Sequence, residues 1–386
     1  MTIRLWCERV GVLGVLGVLA LLTGFVLQRG LHLPLGYDWG FPYRVLWNEV
    51  LASAGFPCAV LVVALLGWRN AGISIRASIP GERRARLLLG LVAVVTSSLD
   101  CLLFEPHAPW DWAAAGLLAA LVATRVRQMS GAALLRFIGS LAYGVGVFAA
   151  VCFFYTVVKA AVFVHGAPHD ASIIALEARL FGVVPHRVVA AFAATRPNLV
   201  AGCDWTYFRF FHHMLLTGIL LVARRDAEER IEYLTALAIC YLLGAPLYHL
   251  YPAWGPGYFE PAHFLYLNDP RLTTSVVRGW LWNNTHDVMR GTAKQLVTWS
   301  YISCLPSLHV AHEIVMAFYV RRSLPALVVS VAFTAATLVS VVVLGWHYPL
   351  DWIAGAALGA VSIFAARRLR GFSWPVALRP SAAKTR

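Results

Sequence analysis

The sequence predicts an all-α fold, a polytopic membrane protein of about ten transmembrane helices. Three observations carry this. Of 386 residues, 59% are hydrophobic and only 13% charged, where a soluble domain carries about 25% charged residues. The apolar residues gather in ten runs, most of them close to the ~20 residues that cross the hydrocarbon of a bilayer. Lys and Arg avoid those runs and are shared unequally between alternate connections, the signature of membrane orientation.

The runs are 8–28, 48–68, 86–104, 110–124, 133–164, 206–223, 232–251, 306–320, 325–344 and 350–367. The first follows a short basic start, and no small-residue cleavage site precedes Gln28 and Arg29, so it reads as a signal anchor. The fourth and eighth are short and borrow from their flanks. The fifth is long enough to tilt or to run past the bilayer surface. Between the runs lie two mixed stretches, 165–204 and 252–305. Their aromatic and Pro residues predict folded or re-entrant interfacial segments rather than loose linkers.

With the amino terminus inside, the inner connections hold 21 basic residues and the outer ones nine, while Lys159 and Arg209 fall within runs. That bias favours ten spans with both termini in the cytoplasm. The expected location is the plasma (inner) membrane, with both mixed stretches on the extracytoplasmic side. The formal charge of +13 sits in short clusters between apolar runs, where it meets lipid headgroups rather than nucleic acid. The seven cysteines are scattered, without CxxC, and read as free thiols in apolar surroundings, a Cys203–Cys304 bridge being the alternative. No P-loop, no dinucleotide GxGxxG and no repeat period occurs, so no cofactor is expected.

The densest polar constellation lies in the apolar carboxyl-terminal third. Cys304-Leu-Pro-Ser-Leu-His-Val-Ala-His312 opens the eighth run, and Gly345-Trp-His-Tyr-Pro-Leu-Asp351 opens the tenth. Runs eight and nine form a hairpin through Arg321-Arg322-Ser323, which returns His309 and His347 to one face of the membrane. His347 and Asp351 are four residues apart, on one side of a helix beginning there, so the carboxylate can hold one ring nitrogen. An imidazole fixed in one tautomer can attack phosphorus. His309 is then the candidate general acid. Ser307 and Leu308, at a helix start, offer a phosphate seat, and Ser307 equally fits a simple N-cap.

Pro306-Ser-Leu-His309 and Gly345-Trp-His-Tyr-Pro-Leu-Asp-Trp-Ile-Ala-Gly355 resemble the second and third signature motifs of the type 2 phosphatidic acid phosphatase superfamily. The PSLH form is similar to the inositol phosphorylceramide synthase-like branch. His169-Asp170 through Glu177 to Phe181-Gly182, and Tyr251-Pro-Ala-Trp-Gly-Pro256, resemble two further segments of that branch. The resemblance implies a six-helix lipid-phosphatase-like core, with His347 as phosphohistidine nucleophile, Asp351 orienting it and His309 as general acid. Val341 stands where the third motif usually has Arg, and no clear KxxxxxxRP motif is present. Arg271, Arg278, Arg290 and Lys294 are therefore the candidate phosphate-neutralising cations. Tyr207 and His213 are candidate headgroup contacts, with aromatic-belt packing the equal alternative for Tyr207.

These readings divide the chain into a four-helix membrane region (1–130), a catalytic membrane core (131–372) and a basic tail (373–386). The expected activity is that of a lipid phosphatase or phosphotransferase, with a lipid phosphate or phospholipid as substrate. The alternative is a transporter or lipid-binding protein with a histidine proton relay, for which Lys159 and Arg209 are too few intramembrane charges. His212-His213 and His309-x-x-His312 lack the further ligands a di-metal site needs, so no metal is expected. Asp170 and Glu177 are read as holding the interfacial segment rather than as acid–base groups.

Overall fold

The computed structural model describes residues 3–38, 131–223 and 227–369. The predicted runs 48–68, 86–104 and 110–124 and the basic tail lie outside them. The described chain is mostly helical, with one small parallel pairing of two strands.

Helix α1 (Ile3–Gly30) leads into strand β1 (Gly36–Asp38). Then come α2 (Gly131–Ala160) and a turn of helix, α3 (Val162–His165). Three shorter helices follow, α4 (Asp170–Phe181), α5 (Pro185–Ala194) and α6 (Pro197–Phe208). Helices α7 (Phe210–Ala223) and α8 (Ala227–Leu250) form the next pair. The second mixed stretch holds α9 (Pro256–Phe259), a 3-10 helix (Pro261–Asn268), α10 (Thr273–Met289) and β2 (Gln295–Val297). The chain ends on α11 (Leu308–Val320), α12 (Leu324–Val343) and α13 (Pro349–Leu369).

Among the described residues four segments are long and apolar enough to cross a membrane: Gly146–Val164, Glu229–Leu250, Leu324–Val343 and Pro349–Leu369. Gly14–Gly30 and Leu308–Val320 are shorter apolar helices. Together they make an integral membrane protein. The predicted run 206–223 is not one helix: it is broken at Arg209, where α6 ends and α7 begins. Both mixed stretches are folded, largely into short helices whose starts are set by proline at the first positions of α5, α6 and α9. Proline lacks the N–H that has no partner there anyway.

Helices α4 and α5 invert the pattern of a soluble helix. Asp170, Glu177 and His186 are fully buried, whereas Leu176, Leu180, Phe181, Val188 and Phe192 are exposed. Apolar side chains pointing outward suit a hydrocarbon or interfacial surround. The buried carboxylates tie distant elements together. Asp170 accepts from the backbone N–H of Trp254 and Gly255, at 2.9 Å each, and from the Tyr348 hydroxyl at 2.8 Å. Glu177 accepts from Leu350 N at 3.0 Å, satisfying a free donor in the first turn of α13. Asp204 does the same for α10 through Thr273 and Thr274.

In the bundle, α11 packs against α7, α8, α12 and α13, and α1 lies along α2. The crossing of α11 and α13 is close because Gly355 and Gly359 present no side chain. A Cβ at Gly355 would clash with the carbonyl oxygen of Ser307, and one at Gly359 would sit 2.6 Å from that of Ala311. A small-xxx-small spacing of this kind lets helix backbones approach within a membrane. Strand β1 pairs with β2 in parallel, Tyr37 opposite Leu296. That contact braces the segment leading into the second motif against the amino-terminal part of the chain.

Candidate active site

His347 sits in the turn between α12 and α13, which Gly345 opens at a φ of 66°, a left-handed conformation that favours glycine. Its Nδ1 lies 3.1 Å from Asp351 Oδ2. A carboxylate only accepts, so Nδ1 carries the proton and Nε2 keeps the lone pair. The same Oδ2 accepts the backbone N–H of Tyr348 at 2.9 Å, which fixes the carboxylate from a second direction. Asp351 is fully buried and His347 only 4% exposed.

His309, the second residue of α11, presents its ring 5.8 Å from that of His347, at an angle of 66°. Tyr207 and Phe210 hold it from the other side, with ring centroids at 4.7 and 4.8 Å. Both histidines line one partly enclosed chamber of about 150 Å³. Its wall is strongly aromatic: Tyr155, Tyr241, Tyr248, Trp254, Tyr258 and Trp299 contribute, with Leu308, Tyr207 and His312. Trp299 adopts a φ of 61°, a sparsely populated conformation for a bulky residue that is held where the surroundings over-determine it. Its backbone N–H donates to Thr156 Oγ1 at 3.2 Å, and its ring stacks on Phe211 at 5.3 Å.

The expected site residues therefore divide. His347, His309, Tyr207 and Leu308 share the chamber, with Asp351 behind His347. Ser307 does not line it. Its Oγ accepts from Val310 N at 3.4 Å, as the N-cap of α11. His213 also lies elsewhere, bonded through Nδ1 to Glu313 at 2.8 Å and through Nε2 to Ser330 at 2.9 Å. It joins α7, α11 and α12 because a buried imidazole needs partners at both nitrogens.

The loop cations are not in the chamber wall either. Arg271 is paired with Asp269 at 2.6 Å and highly exposed, and Arg290 and Lys294 are exposed. Arg278 is folded back onto the Gly257 carbonyl, with its guanidinium 5.2 Å from the Tyr258 ring. It borders a neighbouring cleft with Asn268 and Ser275. Among the described residues, the one Lys or Arg lining the chamber is Lys159, from the last turn of α2, its Nζ 5.5 Å from the Tyr155 ring and 5.7 Å from that of Tyr248. By sequence alone Lys159 is an intramembrane charge without an assigned role. Its one signal was a lysine in an otherwise apolar run.

Next to the chamber, Tyr348, Asp170, Glu177, His186 and Glu260 form a polar brace. His186 Nε2 lies 2.9 Å from Glu260 Oε2, and Arg187 reaches the same carboxylate. The Arg187 guanidinium, followed by His186, holds the Glu260 carboxyl down at about 2. Burial raises that of Asp170, against the bonds from Trp254, Tyr348 and Gly255. Among the described residues no group of three or more His, Cys, Asp or Glu is arranged to hold a metal ion. Cys152, Cys203, Cys240 and Cys304 are free and buried, so the Cys203–Cys304 bridge is not formed.

Searches of curated proteins and of solved structures return no match to the chain. A family model described as the PAP2 superfamily matches residues 171–365, from α4 through most of α13 and a little over half of the chain. Members of that superfamily are phosphatases or phosphotransferases. Covering both histidine motifs and the interfacial helices that brace them, the match assigns the chain to the PAP2 superfamily.

Proposed function

We propose that the chain is a membrane lipid phosphotransferase, of the inositol phosphorylceramide synthase-like kind, working through a phosphohistidine on His347. The observation that carries this reading is the pairing of His347 with Asp351, opposite His309, in a chamber containing one lysine. His347 Nε2 attacks the phosphorus of a bound phospholipid and the bond to the lipid alkoxide breaks. His309 supplies the proton to that departing oxygen. The headgroup phosphoryl unit is then on His347. A lipid alcohol or water gives its proton to His309 and attacks phosphorus, freeing His347.

Charge favours a diester donor. Among the described residues lining the chamber, Lys159 is the only Lys or Arg, and no Asp or Glu is present. One fixed cation matches the single charge of a phosphodiester better than the near-double charge of a monoester. The aromatic wall supplies flat faces for a sugar or polyol headgroup. The distribution of basic residues supports a chamber at the extracytoplasmic surface, within a catalytic core spanning 131–372.

The test is transfer of labelled headgroup phosphate from a panel of phospholipids and lipid phosphates by the purified protein, with ceramide and diacylglycerol as acceptors. Loss of at least about 1,000-fold in His347→Ala and His309→Ala, with a labelled lipid product in the wild type, is expected. Equal turnover in wild type and both variants would overturn the reading.

A further inference from the structure

Four chamber-lining residues carry a buried polar atom without a hydrogen-bond partner, Trp299 Nε1, Ser303 Oγ, Trp346 Nε1 and His312 Nε2, and of these only the imidazole nitrogen can accept without also being a donor. His312, three residues beyond His309 on α11, is 1% exposed and lines the chamber. Its Nε2 is buried with no hydrogen-bond partner. With the ring proton on Nδ1, Nε2 is a lone-pair acceptor. Leaving such an acceptor dry and unpaired is unfavourable, which an apolar ring at this position would avoid.

The surroundings are polar at the same level. The Tyr241 ring lies 4.6 Å from that of His312, and Tyr155 lies 5.0 Å from Tyr241. Three helices repeat one arrangement. Lys159, Tyr248 and His309 stand toward the helix ends where His347 lies, and Tyr155, Tyr241 and His312 stand a turn or two further along α2, α8 and α11. The first level faces the phosphorus. The second offers an acceptor and phenolic hydroxyls where a hydrocarbon chain would need none.

We propose that His312, with Tyr155 and Tyr241, forms a hydroxyl-reading subsite, in which Nε2 of His312 accepts a hydrogen bond from a second hydroxyl of the bound molecule. That hydroxyl lies within about one helical turn, ~5.4 Å, of the reacting oxygen. His312 is a specificity-determining residue, and no bond is made or broken at it. The hydroxyl belongs either to a polyol headgroup of the donor or to an acceptor lipid with two neighbouring hydroxyls. This inference rests on the phosphotransfer reading above.

The experiment uses the full-length protein in lipid–detergent micelles, with His312→Phe and His312→Gln beside the wild type. One arm compares phosphatidylglycerol with phosphatidylmethanol as donors, reading diacylglycerol release. The other compares monoacylglycerol with a long-chain alkanol as acceptors, reading phosphorylated product. In one arm the wild type prefers the hydroxylated compound. His312→Phe lowers that preference about tenfold, the worth of one hydrogen bond, and His312→Gln, whose amide oxygen also accepts, restores part of it. The responding arm identifies the source of the hydroxyl.

An unchanged preference in both arms, or an equal fall for hydroxylated and plain compounds in both variants, overturns the subsite. Failure of the phosphotransfer reading looks different, because the wild type then releases no more diacylglycerol than His347→Ala. Tryptophan-fluorescence titration with monoacylglycerol and with the alkanol tests the subsite without turnover. Identical affinities of wild type and His312→Phe for both, together with no discrimination between the two donors, overturn it as well.

Discussion

His347, in the turn before α13, meets Asp351, in the first turn of that helix, Nδ1 to Oδ2 at 3.1 Å, and that same oxygen accepts the Tyr348 backbone N–H at 2.9 Å. The imidazole is thereby held in the tautomer that points a lone pair into the chamber. Asp351→Asn keeps the size of the side chain and loses the charge that stabilises an imidazolium. Turnover of a phospholipid donor is expected to fall by about 10²–10⁴-fold, with a melting temperature near that of the wild type. A variant as active as the wild type would show that the pair is structural only.

Lys159 contributes the fixed positive charge of the chamber wall. Lys159→Met is expected to lower kcat/KM for a phosphodiester donor by about 100-fold, the scale of losing one preorganised charge-stabilising group. Lys159→Arg should recover part of this. Steady-state kinetics on one donor decide the matter, and an unaffected Lys159→Met protein would move the phosphate contact elsewhere, with Arg278 the next candidate.

Gly359 lets α13 approach α11 so closely that an added Cβ would meet the Ala311 carbonyl at 2.6 Å. Gly359→Val should destabilise the protein by about 1–3 kcal/mol, read as a lower melting temperature in detergent. Activity should fall further than stability does, because His309 and Asp351 ride on the two helices being forced apart. Wild-type stability in Gly359→Val would contradict the packing described here.

Glu260 is the group outside the spans with the clearest pH signature. Its carboxyl is lowered from 4.5 to about 2, first by the hydrogen bond from Arg187. A depressed carboxylate stabilises the fold above its unfolded value and loses that contribution as pH falls through the folded one. The window therefore runs from about 4.5 down to about 2. Arg187 is 42% exposed, so the effect is a modest one, reduced by solvent screening. Thermal unfolding of wild type and Glu260→Gln should differ most near neutrality and converge as the pH approaches 2. Parallel curves throughout would dismiss this pair as a source of stability.

The parts of this protein legible in its sequence are those whose cause is local. Apolar runs of sufficient length predicted the helices that α1, α2, α8, α12 and α13 provide, since hydrocarbon leaves a chain no other way to satisfy its backbone. The four-residue spacing of His347 and Asp351 predicts their pairing, which forms although His347 stands in the turn before α13 rather than on that helix, and the hairpin of α11 and α12 returns His309 to their side. Asp170 and Glu177 were read as braces, and their bonds to Trp254, Gly255, Tyr348 and Leu350 are braces of that kind.

What depended on distant parts of the chain was not legible. Runs of mean hydropathy do not register a single hinge, so the break at Arg209 passed unseen. The outer end of the sixth run offers His213 beside Tyr207 as a headgroup contact, but the packing of α7 turns its ring to Glu313 and Ser330. The loop arginines were chosen for lying in an outer segment, whereas Lys159, nearly 150 residues before the second motif, reaches the chamber from the last turn of α2. The sequence by itself determined the membrane class, the histidine–aspartate pair and the family, because each is written in short-range spacing and composition. Which cation and which further histidine share the chamber was decided by the tertiary structure, because helix packing in a bundle sets distances that separation along the chain does not record.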